Sequence, residues 1–418
     1  MRRNAIKRYV FFLFLMTTII LISLGLHGNI VTQQNSWTVT GDMLIRHTDE
    51  KIQKDPNLKI FNDRRITMID ACSSNETSYT AKNTEGTLRN HFVIDRKHKF
   101  IYCAMEKIGS TFWRRLFQII SGSSKKKSPF DIPPGAALGG HQETFKTLSF
   151  DDIHSVLSSS KKFIIVRDPY ARLYSGYMDK LFSANLMFWE SIGKFGVETF
   201  RDKPSNISKK CGHDLTFTEF IKYFIHSETH NKRRDGHFLP MYDHCRPCEI
   251  KYDIIAKMES MSKDTLSVLE ILNMTELHDT LEKQFTEDTR EDSFIDQTKI
   301  LFGSFAKTKN CLSIYENQKR MWTKFKSRGL ISKYAEFPFQ ESESESLTKE
   351  KYIKALKQAV KESKDNVKSK QYRNDYLHEA FMSVPKDVLK RLHVILRTDC
   401  LIFGYDCGSH LWVKNAFH

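Results

Sequence analysis

The chain has 418 residues, 40% of them hydrophobic and 28% charged, and a formal net charge of +15. That balance excludes global disorder and allows one large domain or two ordinary ones. The positive excess calls for an acidic partner: nucleic acid, an anionic membrane or a polyanionic glycan.

The N-terminus chooses among these. Arg2, Arg3, Lys7 and Arg8 precede an uncharged apolar run, Tyr9 to Leu26. A helix rises about 1.5 Å per residue, so this run nearly spans a hydrocarbon core. The flanking cations hold residues 1–8 in the cytosol, so the chain beyond the run is translocated. The run is longer than an ordinary signal-peptide core and no clear small-x-small site follows, so 9–26 is read as a retained transmembrane anchor. Nucleic acid then drops out as a partner. Sequons at Asn75, Asn206 and Asn273 fit a lumenal body. So do the cysteines at 72, 103, 211, 245, 248, 311, 400 and 407, most of which should pair in an oxidising lumen.

Residues 27–89 are polar and without hydrophobic periodicity, and read as a stem; 90–418 read as the lumenal domain. His98 to Met105 predicts a strand and Thr111 to Ser121 a helix, with Phe112, Leu116, Phe117 and Ile120 near one face. Ser121 to Pro134 is a loop. Phe163 to Val166 predicts a short buried strand and Ala171 to Phe182 a helix. Further helices are expected near Phe217 to Ile225, over Tyr352 to Lys370 and over Val384 to Leu396. Glu341 to Glu345 reads as a solvated acidic loop.

Two strand-to-helix junctions carry the chemistry. At the first, Lys107, Gly109, Ser110 and Thr111 stand before a helix. Gly109 admits close backbone approach, the first helical amides are unpaired, and Lys107 supplies a point charge. The full pattern G-x-x-x-x-G-K-[ST] is absent, and an ordinary capped helix would look similar. At the second, Arg167 emerges from the end of an apolar strand, and Ser175 follows eight residues on. A guanidinium and a hydroxyl there could grip one phosphate. A structural ion pair of Arg167 with Asp168 or another carboxylate is the alternative.

The two junctions resemble the 5′-phosphosulfate and 3′-phosphate motifs of Golgi carbohydrate sulfotransferases. The resemblance is to the subfamily of chondroitin and dermatan 4-O-sulfotransferases and the human natural killer epitope sulfotransferase. One shared block is Ile101, Tyr102, Cys103, Lys107, Thr111, Trp113, Arg114 and Arg115. A second runs from Phe163 through Arg167, Asp168, Pro169, Arg172 and Ser175 to Tyr177. A third comprises Cys245, Pro247, Cys248, Ile250, Tyr252, Asp253, Ile255, Lys257 and Glu259, and a fourth Asp399, Phe403, Gly404 and Tyr405. The chain departs from the family at Glu106, where Pro is usual, at Phe112, where Asn is usual, and at Cys400, where Phe is usual.

The resemblance implies an α/β, P-loop-like sulfotransferase fold: a central parallel sheet flanked by helices, behind an N-terminal transmembrane helix. It implies 3′-phosphoadenosine 5′-phosphosulfate as donor and no metal. Lys107, Ile108, Gly109, Ser110, Thr111, Phe112 and Trp113 would form the 5′ side of the donor site. Arg167 and Ser175 would form the 3′ side, and Lys107 would also stabilise leaving-group charge. The base that takes the acceptor proton is His141 or His237, with His141 preferred because a histidine in the comparable loop is the base in related uronosyl 2-O-sulfotransferases. Cys245 and Cys248 are expected in structural disulfides; half a zinc site with His237 and His244, or a redox pair, are the alternatives. Lys125 to Lys127 and Lys232 to Arg234 are candidate contacts to an anionic acceptor, a glycosaminoglycan or related N- or O-glycan. The expected location is the Golgi membrane, in single-pass type II orientation. A P-loop kinase and a catalytically inactive glycan-binding protein on the same fold are the rival readings.

Overall fold

In a computed structural model of the chain, residues 56–74, 82, 89, 91–137, 142–363 and 366–417 are described. The run 9–26 and the sequon at Asn75 lie outside them, and so does His141. Among the described residues no helix is long and apolar enough to cross a membrane.

The first described element lies within the stretch read as a stem, whose residues 27–55 are outside the described ones. Helix α1 (Pro56–Ser73) packs against the sheet and a C-terminal helix. It buries Phe61 and Met68. Arg64 donates to the Ile255 carbonyl at 2.9 Å and to Asp264 Oδ2 at 2.6 Å. Cys72 is bonded to Cys248. These anchors make the segment part of the body rather than a spacer.

The sheet follows. β1 (Phe92–Asp95) and β2 (Phe100–Cys103) form a hairpin. Its turn is built by the buried Asp95, which accepts from the Lys97 and His98 amides. α2 (Ser110–Ile120) leaves β2 through the first junction. β3 (Glu143–Thr144), α3 (Phe150–Ser159), β4 (Lys161–Val166) and α4 (Pro169–Tyr177) come next. α5 (Phe217–His230) and α6 (Met241–Cys245) precede β5 (Ile254–Lys257). Among the described residues the strand order is β3-β1-β2-β4-β5. β2, β4 and β5 run parallel, while β1 pairs antiparallel with both β2 and β3. The sheet is therefore mixed, not wholly parallel as expected. Only the strands joined by helical crossovers are parallel, because a four-residue turn can join only antiparallel neighbours.

The parallel strands are near-continuous apolar runs, as strands covered on both faces must be. Tyr102, Phe163 and Trp113 pack as tilted rings at the centre, with ring centroids of Trp113 and Phe163 4.5 Å apart. Beyond β5 the chain is helical: α7 (Met261–Ile271), α8 (Thr275–Thr308), α9 (Ile314–Ser327), α10 (Lys349–Glu362), α11 (Asn366–Met382) and α12 (Lys386–Ile402). The single helix expected over Tyr352 to Lys370 is two helices, α10 and α11. α8 to α10 hold a second core around Trp322, Phe325, Tyr352 and Leu356.

All eight cysteines are paired: 72 with 248, 103 with 245, 211 with 311 and 400 with 407. Cys245 and Cys248 bond to different elements, which removes both the zinc and the redox-pair readings of that motif. Asn206 and Asn273 are exposed, as sequon asparagines should be.

Candidate functional site

The carboxyl ends of β2 and β4 lie side by side, and there the chain makes its two junctions. In an open α/β sheet this edge is where ligands bind. At the first junction Lys107 and Gly109 both adopt positive φ, 69° and 80°. Gly109 has a further reason to be glycine: a Cβ there would lie 2.9 Å from Met261 Cε. Gly109 caps α2 without a side-chain hydrogen bond. The first-turn amides of Ser110, Thr111 and Phe112 have no acceptor within the helix, an arrangement able to cradle an anion. Thr111 is exposed and Ser110 half-exposed. Ile108, Phe112 and Trp113 are buried in the core, so their side chains do not line the cradle. Arg115 is likewise structural. It forms a two-pronged ion pair with Asp292 at 2.9 and 2.6 Å.

Lys107 reaches across to Asp179 Oδ2 at 2.8 Å, and Lys324 of α9 meets Asp179 Oδ1 at 2.6 Å. Burial pulls the Lys107 ammonium down to about 8, against the opposing pull of Asp179. Burial would push the Asp179 carboxyl up, but Lys107, Lys324 and Lys180 outweigh it and hold it well below the usual range. Asp179 sits in a π-helical turn, Met178–Phe182, that extends α4. Such turns recur at functional sites. Sequence reasoning missed Asp179, although it lies four residues after Ser175 and so shares its helix face. Lys324 carried no local signal.

At the second junction Arg167 donates to the Lys107 carbonyl at 3.2 Å, joining the two corners. The carboxylates of Glu259 and Asp168 act on it through their fields, Glu259 the more strongly, so the ion-pair alternative stays open; Asp168 caps α4 through the Ala171 amide and faces His410 Nε2 at 3.0 Å. Burial lowers Arg167 to about 10, so it remains a cation at neutral pH. Arg328 is exposed, and its charge is among those that lower the Arg167 pKa. Ser175 is half-buried two turns along α4. The motif residues of the later blocks hold this corner in place. Glu259 accepts from the Asp168 amide and from the Tyr405 hydroxyl, each at 2.9 Å. Buried Asp399 accepts from the Met241 and Tyr242 amides, each at 2.7 Å.

A third segment, Asp235 to Pro240, closes against both junctions. Buried Arg172 donates to the carbonyls of Glu106, Leu239 and Gly236 at 3.1, 2.6 and 3.3 Å. Gly176 allows the approach: a Cβ there would lie 2.8 Å from Phe238 Cε1. Within the segment, His237 Nδ1 meets Asp235 Oδ1 at 2.8 Å. The carboxylate fixes the tautomer and leaves Nε2 as the acceptor nitrogen. His237 retains 26% side-chain exposure, so Nε2 is reachable. Asp235 was not anticipated, though its position two residues before the histidine suits a local turn. Of the basic patches, Lys125 to Lys127 are exposed. Arg234 instead pairs with Glu228 and buried Asp243 and is structural.

A family model described as the sulfotransferase family matches residues 90–300. Mouse carbohydrate sulfotransferase 11 is 31% identical over 219 residues, which cover 51% of this chain and 61% of its own. Zebrafish carbohydrate sulfotransferase 14 is 30% identical over 184 residues, covering 44% and 48%. Human carbohydrate sulfotransferase 9 is 28% identical over 180 residues, covering 43% and 40%. These matches span between 40% and 61% of the relatives' lengths. No solved structure matches. The matched region takes in both junctions, the whole sheet and the His237 segment, and on that half of its length the chain belongs to the sulfotransferase family.

Proposed function

We propose that the protein transfers a sulfuryl group from 3′-phosphoadenosine 5′-phosphosulfate to a hydroxyl of an anionic glycan. The observation that carries this reading is the pair of junctions at adjacent parallel strands, faced by the Asp235–His237 pair. The α2 amides, Ser110, Thr111 and Lys107 bind the 5′-phosphosulfate; Arg167 and Ser175 bind the 3′-phosphate, with Arg328 beside them. The acceptor oxygen attacks sulfur in line, its proton passes to His237 Nε2, and the sulfur–oxygen bond to the 5′-phosphate breaks. Lys107 offsets the charge that grows on that leaving phosphate. The Asp235 pairing favours His237 over His141 as the base, reversing the preference drawn from the sequence. The acceptor is a glycosaminoglycan of chondroitin or dermatan type, or a related glycan.

The four disulfides and the exposed Asn206 and Asn273 support a lumenal body. In this reading residues 9–26 anchor it in the Golgi membrane. The rival, an inactive glycan-binding protein, draws support from Glu106, an acidic residue next to Lys107 in the chain. The test is transfer of radioactive sulfate from the donor by the full chain to a panel of desulfated glycosaminoglycans and glycoprotein glycans. Incorporation into one acceptor is the expected result. Glycan binding without nucleotide binding would establish the rival.

A further inference from the structure

Three residues that the transfer reaction does not use meet beside the phosphate loop. His91 precedes β1, Glu106 lies between β2 and α2, and His244 belongs to α6. Each offers one ligand atom, and these atoms lie within 4.8 Å of one another. His91 Nδ1 is 4.0 Å from one Glu106 oxygen and 3.4 Å from the Ala104 carbonyl, a contact that ligation through Nδ1 would replace, and His244 Nε2 is 3.7 Å from the other Glu106 oxygen. The two imidazoles meet edge to face, with centroids 4.1 Å apart.

These separations are too long for direct hydrogen bonds. They nevertheless leave polar atoms buried. The His244 side chain is 0% exposed, and neither of its ring nitrogens has a hydrogen-bond partner. Glu106 Oε2 is buried and without a partner as well. A buried polar atom without a partner is uncommon and points to a missing ligand.

Coordination accounts for both the spacing and the orphaned atoms. An ion about 2.0–2.1 Å from each donor sets tetrahedral donors roughly 3.3 Å apart, so donors now at most 4.8 Å apart would draw in by up to roughly 1.5 Å to close the site. We propose that His91, Glu106 and His244 bind a zinc-like divalent transition-metal ion and leave one coordination position open. Two imidazoles and a carboxylate are a donor set that zinc takes readily. The set is held by rigid neighbours. The Cys103–Cys245 disulfide fastens α6 to the end of β2, and Arg172 ties the Glu106 and Gly236 carbonyls together. Arg172, whose guanidinium lies against the Glu106 carbonyl, opposes a dication. The Glu106 carboxylate is the balancing charge. Glu106 stands at one of the positions where the chain departs from the family pattern. A bound ion offsets its charge.

The test uses the full chain, purified without a histidine tag and stripped with a chelator. Zinc is titrated against a chromophoric competitor, and cobalt(II) is followed by its visible absorption. The expected result is roughly one equivalent of either metal, with the stronger cobalt bands of four- or five-coordinate geometry. Glu106→Gln and His91→Ala should each weaken binding by at least about tenfold. Thermal melts should show a zinc-induced stabilisation in the wild type that is lost in Glu106→Gln. Absence of stoichiometric binding to the wild type overturns the proposal and leaves a bridging water at the site. Unchanged binding in folded variants overturns it too. The wild-type titration decides the first point even if a variant fails to fold.

Discussion

Replacing Asp179 by Asn tests the electrostatic reading of the anion cradle. Asp179 is the shared counter-ion of Lys107 and Lys324, at 2.8 and 2.6 Å. With it in place, Lys107 titrates at about 8. An opposite charge at this range shifts a pKa by roughly 1–3 units, so Asp179→Asn should bring Lys107 to between about 5 and about 7. Each unit is about 1.4 kcal/mol of lost preference for the cation. Lysine is charged below its pKa and neutral above it, so affinity for an anion falls as pH rises through that value. At pH 7 the charged fraction drops from about nine-tenths to between about one-half and about one-hundredth, a loss of about twofold to about 90-fold. The assay is calorimetric binding of 3′-phosphoadenosine 5′-phosphate from pH 5 to 9.5, which needs no acceptor. The wild type should weaken above about pH 8, and the variant 1–3 units lower by that same rough estimate. Lys107→Arg should abolish this limb, because a guanidinium does not titrate in the range. A limb that stays in place, or a loss equal at every pH, would refute the reasoning.

His237→Ala should lower kcat by roughly 10²–10⁴ while leaving nucleotide affinity nearly unchanged; normal turnover would return the base role to His141. Asp235→Asn should lower kcat less than His237→Ala does, and single-turnover kinetics separates that from a binding defect. Arg167→Ala should abolish binding of 3′-phosphoadenosine 5′-phosphate without unfolding the chain, checked by circular dichroism beside the calorimetry. Replacing both Cys72 and Cys248 by Ser releases a link between residues 176 apart. By chain entropy this should cost up to about 5 kcal/mol in a denaturant titration. A change near zero would restore the view of 56–73 as a mere spacer.

The sequence by itself determined the local features of the site. Apolar runs ending in Lys107, Gly109 and Arg167 announce strands that break into helices, because burial and glycine conformation act over a few residues. The motif blocks and the parity of the cysteines are local in the same sense. What the tertiary structure decided was long-range. Asp179 and Lys324 meet from positions 145 residues apart, and no periodicity encodes that. Phe112 and Trp113, adjacent to the cradle in the chain, turn into the core because a helix presents successive residues to different sides. Glu259, Asp399 and Tyr405 look like site residues in a motif and act as supports. The disulfide pairing, the antiparallel edge of the sheet and the docking of 56–73 likewise depend on which surfaces meet. Those encounters are set by packing across the whole chain, which residue order alone does not specify.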